Sequence, residues 1–199
     1  MSFRKLRIRL IQLAFVPVAF LVVFVRPNWG VESPVAYVME LAGYAFLLAG
    51  LGIRVWSILY IGGRKSQGIV SDGPYSLCRN PLYVGTMLLA VGVGLCFENV
   101  LVLVAAVAIL LPIHYLAARL EENNLALRFP AEYAAYAATT PRFWPRWRGY
   151  RSPATVAVST RAIRRVMIDT VAVLMIPQIE DLLEMLHDHH VVHVLWHFP

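Results

Sequence analysis

Four long apolar segments constrain this sequence more than any other feature. They cover residues 6–25, 35–61, 82–97 and 99–118, and a helix that crosses a bilayer needs about 20 mostly apolar residues. Charged residues make up only 15% of the chain, which is too few for the surface of an ordinary soluble enzyme. The sequence therefore predicts an all-α fold: a polytopic transmembrane helical bundle with about four spanning helices, followed by cytoplasmic or interfacial C-terminal helices.

The third and fourth apolar segments are joined by little more than Glu98 and Asn99. So short a connection is typical of antiparallel neighbouring helices. We therefore expect a tight hairpin, in which the start of the third helix and the end of the fourth lie side by side.

The 18 Lys and Arg residues predict the orientation of this bundle. All but two precede or open the first helix, lie between the second and third, or follow the fourth; the exceptions are Arg26 and Arg54. Because cytoplasmic loops are rich in these residues, both termini and the 62–81 loop should be cytoplasmic, in a multi-pass protein of a bacterial-type inner membrane or its equivalent. The net charge of +6 then reflects topology, and no nucleic acid is expected as a partner. No small-x-small cleavage site follows the first segment, so we interpret it as a retained helix.

The stretch from Gly73 to Gly85 carries the clearest chemical signal. Pro81 suits the first turn of a helix, and the free N–H groups of such a turn attract a carboxylate or phosphate. Arg79 adds a fork-shaped donor. The stretch also holds residues suited to stacking or close approach: Tyr75, Tyr83 and Gly85. A well-capped helix with a snorkelling arginine and interfacial aromatics would give the same pattern, so both interpretations stay open.

Two adjacent carboxylates, Glu121 and Glu122, stand at the cytoplasmic end of the fourth segment, where cations are usual. Arg79, Arg119 or a cationic ligand would suit them as partners, and two solvated glutamates paired with nearby arginines are the alternative. Because of the hairpin, we expect this pair and Arg79 to face one shared site.

Tyr133 and Tyr136 are three residues apart, so they share one face of a helix. They would wall an aromatic pocket for an adenine or a sulfonium, whose positive charge favours ring faces. Anchoring at the membrane interface is the alternative.

Taken together, GPYSLCRNPLYVG, ARLEENNLALRF and EYAAYAATTPRFWP resemble the isoprenylcysteine carboxyl methyltransferase family. That family belongs to a wider group of integral-membrane methyltransferases that includes phospholipid N-methyltransferases. The resemblance covers about residues 64–146. The family's Arg-His-Pro-x-Tyr-x-Gly and Glu-Glu patterns are matched by Arg79, Pro81, Tyr83, Gly85, Glu121 and Glu122. Asn80 stands where the family has histidine, and an asparagine takes no charge near neutral pH.

The resemblance implies a methyltransferase that uses S-adenosylmethionine. Its core would span residues 63–150, between N-terminal transmembrane helices (1–62) and an interfacial amphipathic tail with a histidine-rich end (151–199). The implied cofactor-binding residues are Tyr75, Arg79, Asn80, Pro81, Tyr83, Gly85, Glu121, Glu122, Tyr133 and Tyr136. We assign Glu122 and Arg142 to orientation of the acceptor, as catalytic residues. The acceptor would be a lipophilic or small molecule in contact with the lipid bilayer; a lipid amine, a lipid carboxylate and a thiol all stay open.

Two other functions compete with this one. The chain would be a non-enzymatic or degenerate family member if Asn80 has cost it activity. It would be a metal-handling membrane protein if its histidine-rich end binds a cation, because His189, His193 and His197 have the spacing of one helical face, and imidazoles at that spacing bind zinc, nickel or copper. A peripheral tail without metal is the simpler interpretation, and no metal ligand is assigned.

Overall fold

The computed structural model describes residues 16–27, 33–62 and 68–198, and in that part the regular secondary structure is helical apart from two strands of three residues. Residues 16–24 are helical. The other helices are α1 (Pro34–Ile61), α2 (Pro74–Leu77), α3 (Pro81–Cys96), α4 (Val100–Arg128), α5 (Pro130–Thr139), α6 (Thr160–Leu174) and α7 (Ile176–Asp188), with a 3₁₀ turn at Trp147–Gly149. Strands β1 (Val25–Pro27) and β2 (Trp196–Phe198) pair in parallel. The all-α class is confirmed.

Helices α1 and α4 are long and apolar enough to cross a membrane, with 28 and 29 residues. Helix α3 is apolar but has 16 residues, or about 24 Å at ~1.5 Å per residue, against a bilayer core of about 30 Å. Half of the first predicted segment, residues 6–15 of 6–25, lies outside the described residues. The number of spans, their orientation and the retained first helix therefore stay predictions.

Helix α4 runs ten residues past the predicted end of its apolar segment, from Ala118 to Arg128. Hydropathy falls after Ala118, but the residues that follow are mostly good helix formers. The helix ends only before Pro130, because a proline disfavours helical backbone in the residue that precedes it. Glu121 and Glu122 therefore lie on the helix itself, in a polar extension beyond its apolar part.

The chain divides into two compact units. The first comprises residues 1–48, 88–113 and 172–199. Within it, Gly94 of α3 lies against Leu103 of α4, and the side chain of Asn99 caps α4 by accepting a hydrogen bond from the backbone N–H of Leu101 at 2.9 Å. These contacts agree with the predicted hairpin.

The second unit comprises residues 49–87 and 114–171. In this unit Arg54, the charge predicted to lie within a span, has two partners. Its guanidinium donates to Oγ1 of Thr86 at 2.7 Å and forms an ion pair with Asp169 of α6 at 3.4 Å. The polar partners reduce the cost of placing a cation in an apolar helix.

Two helices form most of the C-terminal region. The apolar stretch 163–186 lies in α6 and α7, which meet at Met175 just before Pro177. Helix α7 ends at Asp188, because His190 takes a left-handed backbone conformation with φ 55°. The prediction that His189, His193 and His197 share one helical face is therefore wrong.

Candidate functional site

The second unit brings the start of α3, the polar extension of α4, helix α5 and the segment after it together. Backbone hydrogen bonds fix the entry to α3: the N–H of Arg79 donates to the carbonyl of Pro141 at 2.8 Å, and that of Asn80 to the carbonyl of Arg142 at 3.2 Å. The carbonyl of Asn80 in turn accepts from the N–H of Tyr83 at 3.1 Å. Asn80 thus lies where the loop ends and α3 begins, and its backbone bonds leave the side-chain amide available to contact Glu122.

Glu122 is the centre of this site, and the residue is only 6% exposed. Its carboxylate accepts from Arg79 at 3.2 Å and from the amide of Asn80 at 2.7 Å. Arg142 donates through Nε at 3.0 and 3.1 Å and through a terminal nitrogen at 2.9 Å. The predicted meeting of Arg79 with the acidic pair is therefore found at Glu122.

Two guanidinium groups share this one carboxylate, so the cluster of Arg79, Glu122 and Arg142 carries a net positive charge. A carboxylate this deeply buried requires such partners, because burial of an unpaired charge costs several kcal/mol. The hydrogen bond to Glu122 raises the pKa of Arg142 above its ordinary value. Arg142 therefore remains a cation at physiological pH.

The tyrosines of α5 join this cluster. The hydroxyl of Tyr133 lies 3.0 Å from a terminal nitrogen of Arg79 and accepts its hydrogen bond. The hydroxyl of Tyr136 donates to the backbone carbonyl of Tyr75 at 2.7 Å. Burial raises the pKa of Tyr133 and of Tyr136, so both remain neutral phenols. The centres of the two rings lie 6.4 Å apart, edge to face. Successive turns of α5 thus contact Arg79, through Tyr133, and the backbone of Tyr75, through Tyr136.

Two polar atoms at this site are buried without a hydrogen-bond partner among the described atoms: the hydroxyl of Tyr75 and Nε of Arg79. Buried donors are paired in the great majority of cases. Both belong to the residues that the family resemblance assigns to a cofactor, and both would suit an anionic or polar ligand atom.

The remaining predicted residues have different surroundings. Pro81 is buried at the first position of α3, and Glu121 is half-buried beside Glu122. The rings of Tyr83 and His114 lie 5.3 Å apart between centres in an edge-to-face arrangement. Gly85 packs on α1, since a Cβ atom there would lie 2.8 Å from Cγ of Arg54. The close approach expected at Gly85 is thus made by a neighbouring helix.

One aromatic group was absent from the sequence-based site. The ring of Tyr115 lies 6.1 Å from that of Phe143, and the guanidinium of Arg119 lies 5.7 Å from the centre of the Tyr115 ring. The spacing of Tyr115 and Arg119, four residues on one helix, was a signal for this contact.

The first unit holds a separate acidic cavity of about 350 Å³. Its walls include five carboxylate residues: Glu40, Glu98, Glu180, Asp181 and Glu184. Burial, followed by the charge of Glu184 and of the other carboxylates, raises the pKa of Glu180 to about 8. Across the described ranges, no group of three or more His, Cys, Asp or Glu residues is arranged to hold a metal ion.

Comparison with known proteins gives the family. The chain is 37% identical over 157 residues to the cobalt-zinc-cadmium resistance protein CzcN of Cupriavidus metallidurans, a match that covers 78% of this chain and 70% of that protein. It is 41% identical over 119 residues to the nickel-cobalt-cadmium resistance protein NccN of Alcaligenes xylosoxydans xylosoxydans, covering 59% of this chain and 55% of that protein.

No solved structure matches the chain. The phospholipid methyltransferase family model matches residues 38–132, a range that includes Arg79, Asn80 and Glu122. The family resemblance stated from the sequence motifs is thereby confirmed, and the chain belongs to the phospholipid methyltransferase family, a group of integral-membrane methyltransferases.

Proposed function

We propose that this chain is a membrane methyltransferase that uses S-adenosylmethionine and methylates a lipophilic or small acceptor. The observation that carries the proposal is the Glu122 cluster. The buried carboxylate of Glu122 accepts hydrogen bonds from Arg79, Asn80 and Arg142, and the hydroxyl of Tyr133 accepts one from Arg79. The family match supports the reaction class.

The residues present suit the cofactor. Its carboxylate would pair with Arg79, whose Nε is buried without a partner. The hydroxyl of Tyr75, also buried without a partner, would receive or donate one polar contact. Tyr133 and Tyr136 would wall the site with neutral rings, which suit an adenine or a sulfonium.

When bound, S-adenosylmethionine would supply a methyl group on a sulfonium sulfur, from which a neutral thioether leaves readily. The chain therefore needs chiefly to align the reactants and exclude water. Glu122 fixes Arg142 through a forked hydrogen bond, and we assign to Arg142 the orientation of the acceptor. Asn80 positions Glu122 and takes up no proton, so an acceptor that is already anionic, a carboxylate or thiolate, needs least from this site.

The placement of the cluster supports an acceptor that arrives from the bilayer. Arg79 and Asn80 immediately precede the apolar helix α3, and Glu122 follows the apolar part of α4. We place this end of the helices at the cytoplasmic face, because the positive charges of the sequence concentrate there. A polar cofactor would then enter from the cytosol and an apolar acceptor from the lipid.

Binding of S-adenosylhomocysteine to the detergent-purified protein, measured by calorimetry, tests the proposal. We expect the wild type to bind and Arg79→Gln to weaken binding at least about tenfold, since a charge-assisted hydrogen bond contributes about 1.5–3 kcal/mol. Arg128→Gln, at the exposed end of the same helix as Glu122, is the matched control and should bind as the wild type does. A wild-type protein that does not bind, in a sample shown to be folded, would end the enzyme proposal. Transfer of labelled methyl groups to lipid extracts then identifies the acceptor.

Resistance to metal cations is a second candidate function, favoured by the names of the two relatives. Growth of a metal-sensitive host on cobalt, zinc, cadmium or nickel tests it with two variants. If methyl transfer confers resistance, Glu122→Gln abolishes it and a His189→Ala, His193→Ala double variant retains it. The opposite result would assign resistance to the histidine-rich end instead.

A further inference from the structure

Residues 141–152, here called the strap, cross the loop that leads into α3. The amides of Arg79 and Asn80 donate to strap carbonyls. At the other end the N–H of Gly73 donates to the carbonyl of Arg151 at 2.7 Å, and the N–H of Arg146 donates to the carbonyl of Leu77 at 3.0 Å. The strap thus holds residues 73–80 along their whole length by main-chain hydrogen bonds.

The outer surface of the strap is exposed, aromatic and basic. Trp144 is 86% exposed and Trp147 71% exposed, although large aromatic side chains are costly to leave in water. Three arginines are exposed on the same strap: Arg146, Arg148 and Arg151. Exposed tryptophan interleaved with arginine within eight residues fits a surface that is partly apolar and negatively charged.

The strap lies at the level where apolar helices end. Its hydrogen bonds reach Arg79 and Asn80, immediately before α3 begins. The ring of Tyr150 lies 5.9 Å from that of Trp56, five residues before α1 ends at Ile61. Tryptophan, tyrosine and arginine concentrate in the headgroup layer of a bilayer.

We propose that the strap is a docking surface for anionic phospholipid headgroups and that this docking holds residues 73–80 in place. The tryptophans enter the headgroup layer and the three arginines pair with phosphates, because their guanidinium groups match phosphate geometry. The inference concerns lipid binding and does not require that the chain transfers methyl groups.

The number of exposed arginines on the strap determines how strongly it should bind anionic lipid. A basic residue near an anionic membrane surface favours binding by about fivefold. The attraction is electrostatic, so it should fall when salt is raised from about 0.1 M to about 1 M, which shortens the Debye length from ~10 Å to ~3 Å.

Hydrogen–deuterium exchange on the full-length protein in nanodiscs tests the proposal directly, because the amides of Gly73, Arg79 and Asn80 all donate to the strap. We expect exchange in peptides covering 73–80 to be slower by at least about fivefold in phosphatidylcholine–phosphatidylglycerol discs than in discs of phosphatidylcholine alone. High salt should remove the difference. Equal exchange in both lipids, with Trp144 and Trp147 still accessible to an aqueous quencher, would overturn the proposal.

Matched arginine variants locate the effect. In the triple variant Arg146→Gln, Arg148→Gln, Arg151→Gln, the exchange rate of residues 73–80 should no longer depend on lipid charge. The control triple variant Arg161→Gln, Arg164→Gln, Arg165→Gln removes as much charge from exposed positions of α6. In this control the exchange rate should still depend on lipid charge. Equal loss in both would show a general effect of net charge and contradict a specific role of the strap. The salt arm uses the wild type alone, so the test holds even if a variant fails to fold.

Discussion

The amide nitrogen of Asn80 lies 2.7 Å from a carboxylate oxygen of Glu122 and 3.2 Å from the carbonyl of Arg142. One uncharged side chain therefore connects the start of α3, the polar extension of α4 and the segment after α5. The residue that departs from the family's histidine thus occupies a structural position in the cluster. Its amide supplies two donors at once, which a neutral imidazole cannot do.

Substitution of Asn80 should separate hydrogen bonding from charge. Asn80→His keeps one donor to Glu122 and loses the second, at a cost of about 1 kcal/mol, so the protein should remain folded. Asn80→Asp places a carboxylate against the buried carboxylate of Glu122 and should destabilise by about 3 kcal/mol. Thermal unfolding in detergent measures both. Equal melting temperatures for the two variants would refute the proposed contact.

Glu122→Gln should be far more harmful than Glu121→Gln. The first leaves the guanidinium groups of Arg79 and Arg142 without their shared carboxylate. Removal of one partner from a buried ion pair lowers the free energy of unfolding by about 3 kcal/mol. The second removes the same charge one residue away and leaves those hydrogen bonds intact. Melting temperature should fall in the first variant alone. A larger fall in melting temperature for Glu121→Gln than for Glu122→Gln would contradict a cluster centred on Glu122.

Gly85→Ala should destabilise the packing of α3 on α1. The new Cβ would lie 2.8 Å from Cγ of Arg54 and 3.0 Å from the carbonyl of Gly50, and overpacking of this kind costs about 1–3 kcal/mol. Gly52→Ala is the control, because a Cβ there meets nothing within 4 Å and alanine is the better helix former. Unfolding in denaturant should place Gly85→Ala below the wild type and Gly52→Ala level with it or above. A harmless Gly85→Ala would mean that α1 and α3 are farther apart at this point.

The helical class and the cluster at Glu122 could be predicted from sequence because both follow from local rules. Apolar length predicts α1 and α3 within about a residue at each end. The short link at Glu98 and Asn99 brings Arg79 near Glu122. The cofactor contact implied for Gly85 and the cofactor itself stay predictions.

Other features depend on information that hydropathy does not carry. The end of α4 is set by helix propensity and Pro130 rather than by the membrane, so Ala118 was a poor boundary. The histidine spacing predicted a helical face, but the left-handed backbone of His190 ends the helix first. The pair of Arg54 with Asp169 joins residues 115 positions apart, and no periodicity signals such a contact.

Cys78 should be unreactive in the folded protein. Its side chain is buried, and burial raises the pKa of its thiol to about 11, so almost no thiolate exists at neutral pH. In a Cys96→Ser background, iodoacetamide at about pH 7.5 should label Cys78 only after denaturant is added. Rapid labelling of the native protein would contradict the buried position of the segment between α2 and α3.

Glu180 should make the protein less stable as the pH rises. Its pKa of about 8 lies above the ordinary value of 4.5, so the folded state binds this proton more tightly than the unfolded state does. The stabilisation is complete below about pH 4.5, declines as the pH rises, and is lost through about pH 8. The cause is the half-buried position of the carboxyl and its carboxylate neighbours in the acidic cavity.

Glu180→Gln should therefore flatten the melting temperature between about pH 5 and pH 9 and exceed the wild type at the alkaline end. Glu132→Gln, which removes an exposed carboxylate from α5, is the control and should leave the pH profile as it is in the wild type. If the wild-type melting temperature does not fall across this range, or Glu132→Gln flattens it as well, then Glu180 is solvated in the folded protein. The five carboxylates would in that case not form a shared cavity, because crowding and burial together are what hold the proton on Glu180.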